Sequence, residues 1–147
     1  MTTETLTTEQ MRAKWDATFE RLRAAESAAQ EYIAATDPLH ALERASRDRV
    51  GIDALRHQPD FLDRLNALRA ESPAYFVPKF MNDHRDSLVD AVVEIEGELM
   101  ALPSPDLTAL HWKVDKTAGD SWEGGYLDQM RADMVRLMGP VPTAAVA

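Results

Sequence analysis

Met81, Leu88, Ile95 and Leu102 stand seven residues apart, and Val92 and Leu99 form a companion series in the same stretch. A period of seven with two apolar positions per repeat is the seam of a packed α-helix. It does not fit a strand, whose sides alternate at every residue. Arg85 interrupts the seam where an apolar residue would stand. The spacing predicts a helix over residues 79–102, about 36 Å long at ~1.5 Å per residue.

A second long helix is predicted over residues 8–35. Thr7 and Gln10 have the spacing of a capping box, in which hydroxyl and amide satisfy orphan backbone N–H groups. Met11, Trp15, Phe19, Leu22, Ala29 and Ile33 then recur at steps of three and four or their sums, while Asp16, Glu20, Arg23 and Glu31 take the wet side. This helix is read as ending at Thr36-Asp37-Pro38, because Asp37 suits an N-cap and Pro38 the first position of a following helix. At about 42 Å it nearly matches the other, so the two are natural bundle partners.

Shorter helices fill the rest. One runs from Pro38 through Leu39, Leu42 and Ala45, with Arg44, Arg47, Arg49 and Arg56 crowding a polar stretch and Gly51 as its end. Another begins at Pro59-Asp60 and carries Phe61, Leu62, Leu65 and Leu68 to Ser72-Pro73. Residues 73–80 set Tyr75, Phe76 and Phe80 around two prolines and read as a buried connector. Ser104 is assigned as the cap of a helix that has Pro105 and Asp106 in its first turn, carries Leu107, Leu110 and Val114, and ends at Gly119. A last helix is expected from Ser121, with Trp122, Tyr126, Met130, Met134 and Leu137 on one side, to Gly139-Pro140. Ala and Leu, 22 and 15 in number, outweigh the 9 Val and 3 Ile that favour strands. The expected fold is an all-α, single-domain helical bundle with two long helices and three or four shorter ones. It would occupy residues 8–139, between tails at 1–7 and 140–147. Trp15, Trp112 and Trp122 are expected in its core.

Several function classes are disfavoured. Without cysteine there is no thiolate nucleophile, disulfide or cysteine-ligated metal. A net charge of −9 has the wrong sign for wrapping phosphate or an anionic membrane. The polar, acidic N-terminus lacks the basic and apolar regions of a signal peptide, and no apolar run approaches the ~18 residues of a membrane span, so the expected location is the cytoplasm. Of His40, His57, His84 and His111, only His40 has an acid three residues before it, and that acid, Asp37, is better used as a cap. No His-x-x-x-His pair, nucleophile elbow, phosphate-binding glycine loop or dinucleotide fingerprint occurs. No catalytic, metal-ligating or cofactor-binding residue is assigned, and no small-molecule ligand is expected.

Residues 73–106 carry −5 of the net charge, and Asp83, Asp86, Asp90, Glu94 and Glu98 recur at steps of three and four. This places five carboxylates along one stripe of the 79–102 helix. A solvated face is the plain reading. The sharper one is a docking face for a basic partner that imitates phosphate spacing.

The segment Leu102-Pro103-Ser104-Pro105-Asp106-Leu107-Thr108-Ala109-Leu110-His111-Trp112-Lys113-Val114, with Asp120-Ser121-Trp122 and Tyr126 after it, resembles small helical proteins of bacterial genomes and prophages. In those a Pro-Ala-Pro-Asp helix start leads to Leu-x-Trp-Lys-Leu. Pro103, Pro105, Asp106, Leu110, Trp112 and Lys113 are the counterparts here, and Ser104 and Val114 depart from the pattern. The resemblance covers the C-terminal third only and implies a mobile-element setting, without an activity.

The first functional reading is therefore a non-catalytic protein that binds another protein or itself. The alternative is an acidic antagonist that occupies the nucleic-acid groove of an enzyme, and a further one is an enzyme with an unrecognised site.

Overall fold

The computed structural model describes residues 5–119 and 125–139. The fold is all-α: α1 (Thr8–Val50), α2 (Phe61–Glu71), α3 (Lys79–Ala101), α4 (Leu107–Gly119) and α5 (Gly125–Met138), with single 3-10 turns at Ile52–Leu55 and Pro73–Tyr75. Among the described residues there is no strand. The chain divides into two compact units, one of Met1–Ala24 with Ala91–Ala147 and one of Ala25–Asp90.

The start of α1 is the expected capping box: Thr7 Oγ1 accepts the Gln10 N–H at 3.2 Å, and Gln10 Oε1 accepts the Thr7 N–H at 2.9 Å. Its end is not the expected one. The helix passes through Pro38 and continues to Val50, 43 residues in all, so Asp37 caps nothing and the predicted second helix is the continuation of the first. An interior proline removes one backbone hydrogen bond and costs about 3 kcal/mol. Opposing that cost is a side-chain register that does not change at the proline. Met11, Trp15, Thr18, Leu22, Ala29, Thr36 and Ser46 are buried. Tyr32, Leu39 and Glu43, half-buried, fill the intervening steps of three and four. Ile33, expected on this stripe, is exposed because Tyr32 and Thr36 hold the inward register. The Thr18 and Thr36 hydroxyls donate to the Lys14 and Tyr32 carbonyls at 2.9 Å each, so they enter the interior with partners.

In the unit of residues 25–90, Gly51 ends α1 in the left-handed conformation at φ 66°, where a side chain would be strained. Arg47 donates twice to Asp53 Oδ1, at 3.0 and 2.7 Å, and fixes the following 3-10 turn. Ile52, Leu65 and Phe76 form the core of this unit, with Phe61 and Leu68 against it. The 73–80 connector is buried only in part: Phe76 and Val77 are inside, while Tyr75 and Phe80 are exposed. Glu43 Oε2 accepts the Val77 N–H at 3.2 Å and holds the connector to α1.

In the other unit, Ile95, Leu99 and Met100 of α3 are buried together with Met11, Trp15, Leu22, Ala109, Leu110 and Met130. Asp106, not Ser104, caps α4: its Oδ1 accepts the Ala109 N–H at 2.8 Å, so the helix starts at Leu107. Ser104 is occupied elsewhere, as shown below. α5 ends at Gly139, whose φ is 83° and whose N–H reaches the Val135 carbonyl at 2.9 Å. The expected starting residues of the last helix, Ser121 and Trp122, and the tails at 1–4 and 140–147 lie outside the described residues.

Candidate functional site

Two charged residues stand in the apolar registers of α4 and α5. Lys113 follows Leu110 by three, and Asp133 lies three after Met130 and four before Leu137. Those steps aim both side chains inward. They meet there, Lys113 Nζ to Asp133 Oδ2 at 2.7 Å, with neither side chain exposed at all.

The Asp133 carboxylate accepts from four residues. Its Oδ1 takes the Ser104 N–H at 3.1 Å, Gln129 Nε2 at 3.0 Å and the Arg136 guanidinium at 2.9 Å. Its Oδ2 takes Ser104 Oγ and Lys113 Nζ, both at 2.7 Å. Lys113 also donates to the Leu102 carbonyl. Arg136 donates to the Ser104 carbonyl at 2.5 Å. The connector between α3 and α4 is thus gripped from both following helices. The Trp15 ring lies under the ammonium, 5.6 Å from centroid to Nζ.

Burial lowers the Lys113 ammonium from its ordinary value, and Asp133 opposes that shift without cancelling it. Burial pushes the Asp133 carboxyl upward, but the Lys113 and Ser104 donors outweigh it and hold the group below the ordinary carboxylate value. A carboxylate so saturated with donors is a poor base. An ammonium sealed from solvent, bonded to Asp133 and a carbonyl, has no path to a substrate. The centre orients three chain segments.

Beside it lies an aromatic cluster. Trp112 meets Trp15 edge-on at 5.8 Å and Phe19 at 6.0 Å between centroids. Lys116 sits 5.6 Å over Trp112 and bonds Glu96, itself buried, at 2.8 Å. Trp15 is core as expected, whereas Trp112 is half-buried. Four residues of the 102–114 segment have structural duties here: Asp106 caps, Leu110 packs, Trp112 stacks and Lys113 anchors the connector.

The five carboxylates of the acidic stripe all lie on α3. Asp83, Asp86, Asp90 and Glu94 are exposed and Glu98 is half-buried. Asp83 pairs with Lys79 at 2.8 Å, Asp86 with Arg85 at 3.3 Å and Glu98 with Arg21 at 2.6 Å. Asp90 and Glu94 have no salt bridge among the described residues, so the stripe offers fewer free charges than its composition counts.

The histidines are dispersed. His84 meets the Tyr32 ring edge-on at 4.7 Å, and His111 lies 3.3 Å from Asp115 on an exposed face. Among the described residues, no three His, Asp or Glu side chains converge as a metal site would require, and no helix is long and apolar enough to cross a membrane.

The sequence reading did not single out Asp133, Gln129 or Arg136, although the charge at a core register position was visible at both 113 and 133. It also left α5 with one apolar side, whereas the structure gives it two. Met130 and Asp133 face inward; Leu127, Met134 and Met138, at steps of seven and four, face outward with Val135 beside them. No family model, curated protein or solved structure matches this chain.

Proposed function

We propose that this protein acts by binding another protein, with the outward ridge of α5 as its contact surface. The observation that carries the reading is the exposure of that ridge: 49% for Leu127, 38% for Met134, 50% for Val135 and 68% for Met138. A helix that already buries Met130 on one side, with Leu137 half-buried beside it, gains no fold stability from a second apolar side left in water. Large apolar side chains left exposed together on one side of a helix mark interaction sites. Two methionines on it supply the adaptable contact typical of partner-binding helices. The sealed Lys113–Asp133 centre supports the same reading, since it fixes the support of α5 and holds its own two charges away from solvent. The resemblance of residues 102–114 to small proteins of bacterial genomes and prophages supports a mobile-element setting.

The test compares the native chain with a Met134→Glu/Met138→Glu variant. Light scattering after size exclusion reads self-association, and affinity capture from native lysate reads other partners. The expected result is an assembly or captured protein that the variant loses while its circular dichroism is unchanged. A native chain that is monomeric and captures nothing, or a variant that retains every contact, overturns the reading.

A further inference from the structure

The outward ridge of α5 is not apolar throughout. Leu127, Arg131, Met134 and Met138 follow one another at steps of four, three and four, so Arg131 stands inside the ridge, with Val135 one turn beyond it. Arg131 is exposed, and so is Asp128, one turn before it. The salt bridges of α5 converge on Asp133, from Lys113 and Arg136. Neither Asp128 nor Arg131 enters one among the described residues, with each other or with any neighbour.

That free pair restricts what can cover the ridge. A wholly apolar partner would enclose the Arg131 guanidinium with no counter-charge, and an uncompensated buried charge opposes the contact. The partner must therefore bring a carboxylate close to an apolar residue. The ridge itself carries that pattern, with Asp128 next to Leu127. Two copies related by a twofold axis meet through the same patch, which has to complement itself. When two α5 helices run antiparallel with their Arg131 residues level, Leu127 of each copy falls opposite Val135 of the other. Asp128 of one copy is then three residues, about 4.5 Å along the axis, from the level of the other copy's Arg131. That is within reach of an arginine side chain, and both ion pairs form at once.

We infer that the ridge binds a second copy of this chain. α5 packs antiparallel on α5 about a twofold axis, and Arg131 of each copy pairs with Asp128 of the other. This inference rests on the α5 reading and names its partner.

The experiment follows the full chain by light scattering over a concentration series at low salt, with circular dichroism as the control for folding. The native chain should dimerise, and its dissociation constant should rise as salt is added. Asp128→Arg and Arg131→Asp each set like charges against each other twice in the dimer and should weaken it about tenfold or more. An equimolar mixture of the two variants restores both pairs and should recover dimerisation. Single variants that dimerise as the native chain does, or a mixture no better than its components, overturn the inference. So does a native dimer indifferent to salt, which needs no variant. A native chain that stays monomeric overturns it too. If that monomer captures another protein and the Met134→Glu/Met138→Glu variant does not, the α5 reading stands without self-pairing; if it captures nothing, both fall.

Discussion

Lys113 and Asp133 lie 2.7 Å apart with both side chains fully withdrawn from solvent. A buried ion pair is weak evidence of stability, because desolvation of two charges offsets their attraction. Its value is in specifying an arrangement. Asp133 ties α5 to Ser104, Lys113 ties α4 to the Leu102 carbonyl, and the two ties share one carboxylate. Any other docking of these segments would strand a charge.

Removing one partner of the pair should be costly and unequal. Asp133→Ala leaves Lys113 and the Ser104 N–H without their acceptor and should destabilise by about 3–5 kcal/mol. Lys113→Met should cost less, because Asp133 keeps Ser104, Gln129 and Arg136. The double variant should cost less than the sum of the two, which urea titration of all four proteins measures. Additive losses would mean that the two side chains do not act as a unit.

Acid should weaken the fold through the same carboxylate. Asp133 is held below the ordinary value of 3.8. Asp106 is also lowered from 3.8, mainly by the Ala109 N–H and also by Arg12. A carboxyl whose folded value lies below its unfolded one contributes stability that is full above the unfolded value and lost as pH falls through the folded one. Urea midpoints should therefore fall as pH is lowered past that ordinary value. Asp133→Asn should reduce the slope, and an unchanged slope would show that Asp133 does not carry it.

Pro38 supplies a test of α1 itself. In a continuous helix, Pro38→Ala restores a backbone hydrogen bond. The ~3 kcal/mol relief is opposed by the greater freedom of the unfolded chain, leaving a gain of about 2 kcal/mol. If the chain broke at Asp37, as the residues there suggest locally, the same change would give no gain. Thermal unfolding of the two proteins distinguishes the outcomes.

That proline shows where sequence reading succeeded and where it stopped. The α3 seam and the Thr7–Gln10 box were legible because each is made of residues with one strong preference. The path of α1 was not, because its register past Ala29 is kept by Tyr32, Thr36, Leu39, Glu43 and Ser46, several of them polar, while the one local signal at Asp37-Pro38 says stop. Tertiary burial overrode it. Lys113 and Asp133 were hidden for a related reason: a lone charge at a core step looks like an interruption until its partner on another helix is known. Ser104 likewise looks like a cap until Asp133 claims its hydroxyl and N–H.

Trp15 should behave as core. It is 6% exposed, stacks near Phe19 and meets Trp112 edge-on. Trp15→Ala should cost about 3–5 kcal/mol, read from the urea midpoint. A much smaller loss would mean that the aromatic cluster does not bear on folding.

The acidic stripe of α3 permits a test that separates solvation from recognition. Asp86, Asp90 and Glu94 follow one another at four-residue steps, and only Asp86 of the three has a salt bridge among the described residues. Like charges at that spacing destabilise a helix by ~0.2–0.5 kcal/mol per pair, an effect that salt screens. Changing them together to Asn, Asn and Gln preserves shape and should raise stability by a few tenths of a kcal/mol at low salt, with the gain fading at high salt. If the stripe is a solvated face, any partner captured by the native chain binds the variant equally well. If instead the variant loses a basic partner, and the native association rate falls steeply with salt, the face is recognised for its charge. A protein partner whose affinity is unmoved by the triple change at low salt removes phosphate imitation as the role of these residues.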